Sequence, residues 1–139
     1  MSKREQILDA VMAALTNVTG VDNANVYRSR SIALARDKHP ALIVEPINDT
    51  PDNPNIHRLN WTLTFQVMVM YRTDSAPDEA ADDTVASVHS KIMASSSLEA
   101  LVSNLLPGPV DWEFTGADKP LGVVRMQFQA SYITTLGTL

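Results

Sequence analysis

From Arg58 to Arg72 the chain reads RLNWTLTFQVMVMYR, and alternate positions divide it into two sets. Leu59, Trp61, Leu63, Phe65, Val67, Val69 and Tyr71 are apolar or aromatic. Asn60, Thr62, Thr64, Gln66, Met68, Met70 and Arg72 form the other, mostly polar set. A period of two is the mark of a strand with one buried face. Fifteen such positions are many against a mean strand of about five or six residues. At about 3.3 Å per residue they would reach roughly 50 Å. A compact domain of this size is only about 37 Å across. The pattern therefore predicts a strand that bends sharply or projects beyond the body of the domain.

The C-terminal stretch alternates in the same way. Val124, Met126, Phe128, Ala130 and Tyr132 face one side, and Arg125, Gln127, Gln129 and Ser131 the other. Three shorter strands are expected. Asn25–Ser29 and the alternating Val110–Thr115 are two, and Pro40–Ile47 is apolar enough to be buried on both faces. Helical spacing instead joins Ile7, Leu8, Val11, Met12 and Leu15, behind an S-x-x-E capping box of Ser2 and Glu5. Asn17–Asn25, with Gly20, reads as the exit turn. A second helix starts within Asp74–Asp83, where Pro77 and the carboxylates suit a first turn; its buried stripe is Ala81, Val85, Val88 and Ile92. Ser95–Ser97 interrupts it. Ser96 and Glu99 recap a short helix through Leu98, Leu101, Val102 and Leu105, and Pro107-Gly108-Pro109 is expected to end it. Arg28–His39 is read as a basic loop with room for a helical turn at Ala33–Arg36. Asn48–Asn55 and Gly116–Pro120 are read as turns. The order helix, strand, strand, long strand, helix, strand, long strand indicates an α+β fold. Its sheet should be mainly antiparallel or mixed, with two principal helices on one face and long projecting strands. No repeat or linker divides residues 1–139, so one domain is expected.

Composition narrows the function. With 45% hydrophobic and 19% charged residues the profile is globular. No apolar run approaches the roughly 20 residues that span a membrane, and the charged N-terminus does not read as a signal peptide. A net charge of −5 argues against a free-standing nucleic-acid binder. The absence of cysteine excludes disulfides, thiol catalysis and cysteine-based zinc sites.

Candidate chemistry is sparse. His39, His57 and His89 have no metal-ligand spacing, and each reads as a structural or surface histidine. Asn48, Asp49, Asp52 and Asn53 could suggest a calcium loop, but they lack the EF-hand glycine and distal glutamate; turn-forming side chains explain them. Asp78, Glu79, Asp82 and Asp83 could pair carboxylates for acid–base work, and a solvated helix start is the simpler reading. Ser95–Ser97 lacks the nucleophile-elbow frame. We therefore expect no catalytic residue, metal or cofactor, and a protein that is not an enzyme. The local charge signal is Arg28, Arg30, Arg36 and Lys38, in an otherwise acidic chain. It reads either as a solvated loop or as a contact to an acidic partner surface such as the Asp78–Asp83 region of a neighbouring copy.

Long strands with uncharged polar faces are an aggregation hazard unless a partner covers them. Self-assembly follows as an expectation, with a ring as the closed form of head-to-tail contact. Met68, Met70, Arg72 and Arg125, on the polar faces of the long strands, join the basic stretch as candidate interface residues. Trp61, Leu63, Phe65 and Val67 should lie under the helices, while the remainder, with Met68 and Met70, reaches beyond the body toward a neighbouring subunit or a larger assembly.

Taken together, the helix leading into VYRSRSIAL and HPALIVEPI, the strand WTLTFQVMVMYR, the acidic helix start DSAPDEAADDTVASVHSKI, the strand VDWEF and the closing GVVRMQFQASYITT resemble the tail terminator proteins of long-tailed bacteriophages, the minor tail protein U group. The resemblance covers nearly the whole chain and lies in element order and texture rather than in a ligand motif. It implies a virion structural protein, assembled in the host cytoplasm and placed at the head-proximal end of the tail. It implies a hexameric ring that caps the tail tube, stops tube polymerisation and presents a surface to the head connector, while DNA passes through the lumen without specific binding. It carries over no catalytic or interface residue. Another head–tail joining or neck protein is the alternative within this class; a small α+β ligand-binding domain or enzyme is the alternative outside it.

Overall fold

The computed structural model describes residues 1–29, 40–52, 57–72, 77–114, 121–135 and 137, with backbone alone at 72, 77, 78 and 121. Helix α1 (Lys3–Ala14) begins at Ser2, whose Oγ accepts from the Glu5 N–H at 3.1 Å. Only that half of the capping box forms, because the Glu5 carboxylate turns to Arg28 instead. A single 3-10 turn at Asn23–Asn25 leads into β1 (Val26–Arg28), β2 (Ala41–Asp52) and β3 (Arg58–Arg72). Helices α2 (Pro77–Met93) and α3 (Ser96–Leu101) follow, then β4 (Asn104–Phe114) and β5 (Leu121–Thr135). The fold is α+β. One mixed sheet, ordered β1-β2-β3-β5-β4, carries the two main helices on one face; β1 runs parallel to β2 and every other pair is antiparallel.

The long strand is explained by its place in the sheet. β3 is central, paired with β5 from Arg58 to Arg72 and with β2 from Asn60 to Met70. Leu63, Phe65, Val67, Val69 and Tyr71 are all buried under the helices, against Ile7, Leu8, Val11, Val88 and Ile92. The Phe65 and Phe128 rings stack with centroids 5.5 Å apart. Half-buried Trp61 packs on the edge of this core and donates its indole N–H to Thr134 Oγ1 at 3.0 Å. The exposed end of the strand is therefore Arg58–Asn60, beside Asp52 and Thr135. This corrects the expectation that the Met68–Met70 end reaches outward. On the sheet face away from the helices, Ala41, Ile43 and Val123 flank Met68 and Met70 and are themselves buried.

Two further readings are corrected. Asn48–Asp52 is strand rather than turn, because β3 offers it a partner residue by residue. Its proline, Pro51, falls where β2 has run past β1, an edge position that tolerates proline. Likewise Pro107-Gly108-Pro109 does not stop a helix. α3 ends at Leu101, its cap is Ser95 rather than Ser96, and the Pro-Gly-Pro run lies inside the edge strand β4.

Glycine matters at Gly122, directly across from Tyr71. A Cβ there would come within 2.3 Å of Cζ of the buried Tyr71. Gly122→Ala should therefore lower stability by about 1–3 kcal/mol through overpacking, read as a lower midpoint in thermal unfolding; an unchanged midpoint would mean that the ring moves aside freely.

Candidate functional site

Strands β4 and β2 each carry one bulge, and each bulge sets which side chains reach the helix side. In β4, Pro107 pairs with Phe128 and Val110 with Met126, so β4 holds one residue more than β5 between them. Gly108 allows this: a Cβ on it would press to 3.2 Å on the Cβ and carbonyl oxygen of Gln127. The extra residue shifts the parity of everything downstream. Val110, Trp112 and Phe114 then share the helix face with Val124, while Asp111 and Glu113 point to the other face. Val110 is 42%, Trp112 39% and Phe114 48% exposed. Trp112 and Phe114 form one wall of a cleft of about 700 Å³ whose other wall is Glu79, Asp82 and Asp83 from the start of α2. Among the described residues no cation pairs with any of these three carboxylates.

In β2 the bulge at Ile47 does the opposite and turns a polar residue inward. Asp49 stands opposite Leu63 on the core side, with its side chain only 9% exposed. It accepts from Arg4 Nε at 2.6 Å and from the Tyr132 hydroxyl, tying α1 to β2 and β5. Burial, and then the hydrogen bond to Asp49, pushes the Tyr132 hydroxyl up to about 12. The hydrogen bond to Asp49 raises the Arg4 guanidinium above its ordinary value. Asp49, read from the sequence as a turn former, is thus a core anchor. Among the described residues no group of three acidic, histidine or cysteine side chains could hold a metal.

The residues singled out from the sequence are spread over the sheet. Arg28 lies on β1, with Nη1 at 2.9 Å from Glu5 Oε1 and 3.8 Å from Asp9 Oδ1 of α1; that contact holds the Glu5 carboxyl below its usual range. Arg30, Arg36 and Lys38 lie outside the described residues, as does the Ala33–Arg36 turn. Arg125 pairs with Glu113 across β5 and β4. Met68 sits between Ile43 and Arg125, and Met70 between Ala41 and Val123. Arg72, described in its backbone alone, ends β3 opposite Leu121. Met68, Met70 and Arg125 share one sheet face; Arg28 stands apart on the edge strand β1. A second cleft, about 550 Å³, lies between α1 and α2; its lining includes Ala10, Ala13, Ala14, Ser87 and Ser90, and among the described residues Lys91 is its one titratable side chain.

The aromatic cleft escapes a reading of sequence alone. Val110, Trp112 and Phe114 alternate like any core strand, and the α2 carboxylates look like ordinary helix capping. Only the position of β4 at the edge of the sheet turns one into an exposed wall and brings it to the other. No protein-family model matches this chain, and no curated protein matches it either.

Proposed function

We propose that this chain is a structural assembly protein of the tail-terminator kind, which forms a ring on the phage tail tube, ends tube growth and offers a docking surface to the head. The observation that carries the reading is the pair of open sheet edges. β4 ends the sheet on one side with Val110, Trp112 and Phe114 exposed. On the other side β1 pairs with β2 at Leu42–Val44, and among the described residues no strand pairs with the stretch from Pro46 to Asp52 on that side. A chain with one sticky edge and a different second edge is suited to repeat itself head to tail. The element order, two helices over long antiparallel strands, supports the same reading, and a net charge of −5 suits a lumen through which DNA slides without binding.

The test is tail assembly with and without this protein. Without it, tubes should grow to uncontrolled length, and adding it back should restore a single length. Tails of normal length that fail to join heads would contradict the terminating role and point to a neck protein instead.

A further inference from the structure

We infer that the cleft between Trp112 and Phe114 of β4 and Glu79, Asp82 and Asp83 of α2 receives arginine and lysine side chains from the basic stretch Arg30–Lys38 of a second copy of this chain. The inference rests on the proposed head-to-tail assembly and names the surfaces that would make it.

The cleft has the chemistry for such a guest. Two half-exposed aromatic rings face three exposed carboxylates with no described cation beside them. An aromatic face attracts a guanidinium or ammonium through its quadrupole, and the carboxylates can take its N–H donors. Tryptophan and arginine are also the side chains most enriched at the energetic centres of interfaces. The chain supplies a matching guest. Arg30, Arg36 and Lys38 stand together in sequence with a single carboxylate, Asp37. Arg28 is not counted with them, since Glu5 and Asp9 already hold it.

Topology sets the cleft and the two anchors of the basic stretch toward opposite edges of the sheet, with Pro40 near the level of the cleft and Ser29 beside Val44. Trp112, Val124, Val69 and Leu42 form a single cross-strand row. The basic stretch is anchored at Ser29, after β1, and at Pro40, two residues before Leu42. Cleft and anchor are thus separated by the width of the sheet, about 19 Å over four strand spacings. Two different surfaces on opposite edges of one subunit make a heterologous contact, the kind that closes into a ring. A head-to-tail assembly repeats this contact between copies, each cleft taking the basic stretch of the next subunit.

The absence of cysteine makes a direct test clean. Single-cysteine variants Glu79→Cys and Arg36→Cys are mixed and oxidised, and the three disulfide dimers are counted by mass. The mixed dimer should outnumber the two homodimers together about ten-fold, where random pairing of an equal mixture gives equal amounts, and the excess should disappear in 1 M salt (Debye length about 3 Å) or with Asp82→Lys and Asp83→Lys added to the Glu79→Cys chain. Trp112→Ala on that chain should reduce the excess as well, with circular dichroism confirming that each variant is folded. A statistical mixture overturns the inference; if the wild type still forms rings by microscopy, only this contact is lost and the assembly reading stands. A predominance of the Glu79→Cys homodimer would reveal a two-fold contact and overturn both.

Discussion

Phe128→Ala should remove about 3–5 kcal/mol of stability, the range for emptying a buried phenylalanine site. Phe128 is fully buried on β5, stacked on Phe65 of β3 and tilted against the His89 ring of α2 at 6.3 Å. It therefore joins the two longest strands to the helix layer at one point. Its neighbours are β-sheet residues pinned by pairing on both sides, so the site has little freedom to collapse, and the upper part of the range is expected. A domain of this size has about 5–15 kcal/mol in total, so the variant should sit near the edge of folding at 37 °C. Urea denaturation measures this; a loss below about 1 kcal/mol would mean that the stacked pair is not a packed core contact.

Asp49→Ala should be the second most damaging change, at about 2–4 kcal/mol. It strands the Tyr132 hydroxyl in the core and leaves Arg4 without its acceptor. Arg4 is roughly a third exposed and water can take it back, which keeps the loss below that of a wholly buried pair. Asp49→Asn retains an acceptor and should lose less, which separates the hydrogen bonds from mere volume. The same cluster sets an alkaline limit. The folded-state pKa of Tyr132 lies above the value of 10 expected when unfolded, so the folded chain holds that proton longer. Stability from this source is whole below pH 10 and falls as pH rises toward about 12. Tyr132→Phe should flatten that fall; an identical alkaline profile in the variant would contradict the assignment.

Much of this architecture is legible in the order of residues. Strict alternation marks β3 and β5, and the helical stripes mark α1 and α2, because each element has one buried face and burial is what writes a period into sequence. What is not legible depends on partners distant in sequence. Asn48–Asp52 has the composition of a turn, and only the pairing offered by β3 makes it a strand. Pro-Gly-Pro ends helices in general, but at the edge of a sheet it costs little and Gly108 turns it into a bulge. The two bulges then decide function-bearing side chains. One turns Asp49 into the core and the other turns Trp112 and Phe114 toward α2, and a shift of one residue in register is invisible in composition. The overhanging end of the sheet is likewise set by where the helices stop. That assigns it to Arg58–Asn60 rather than to Met68 and Met70.

Negative-stain microscopy of the purified protein, alone and with tail tubes, tests the central claim most directly. The account predicts closed rings of like subunits, six-fold when seated on a tube, at one end of each tube. Particles that remain single subunits at every concentration, with bare tube ends after mixing, would contradict it.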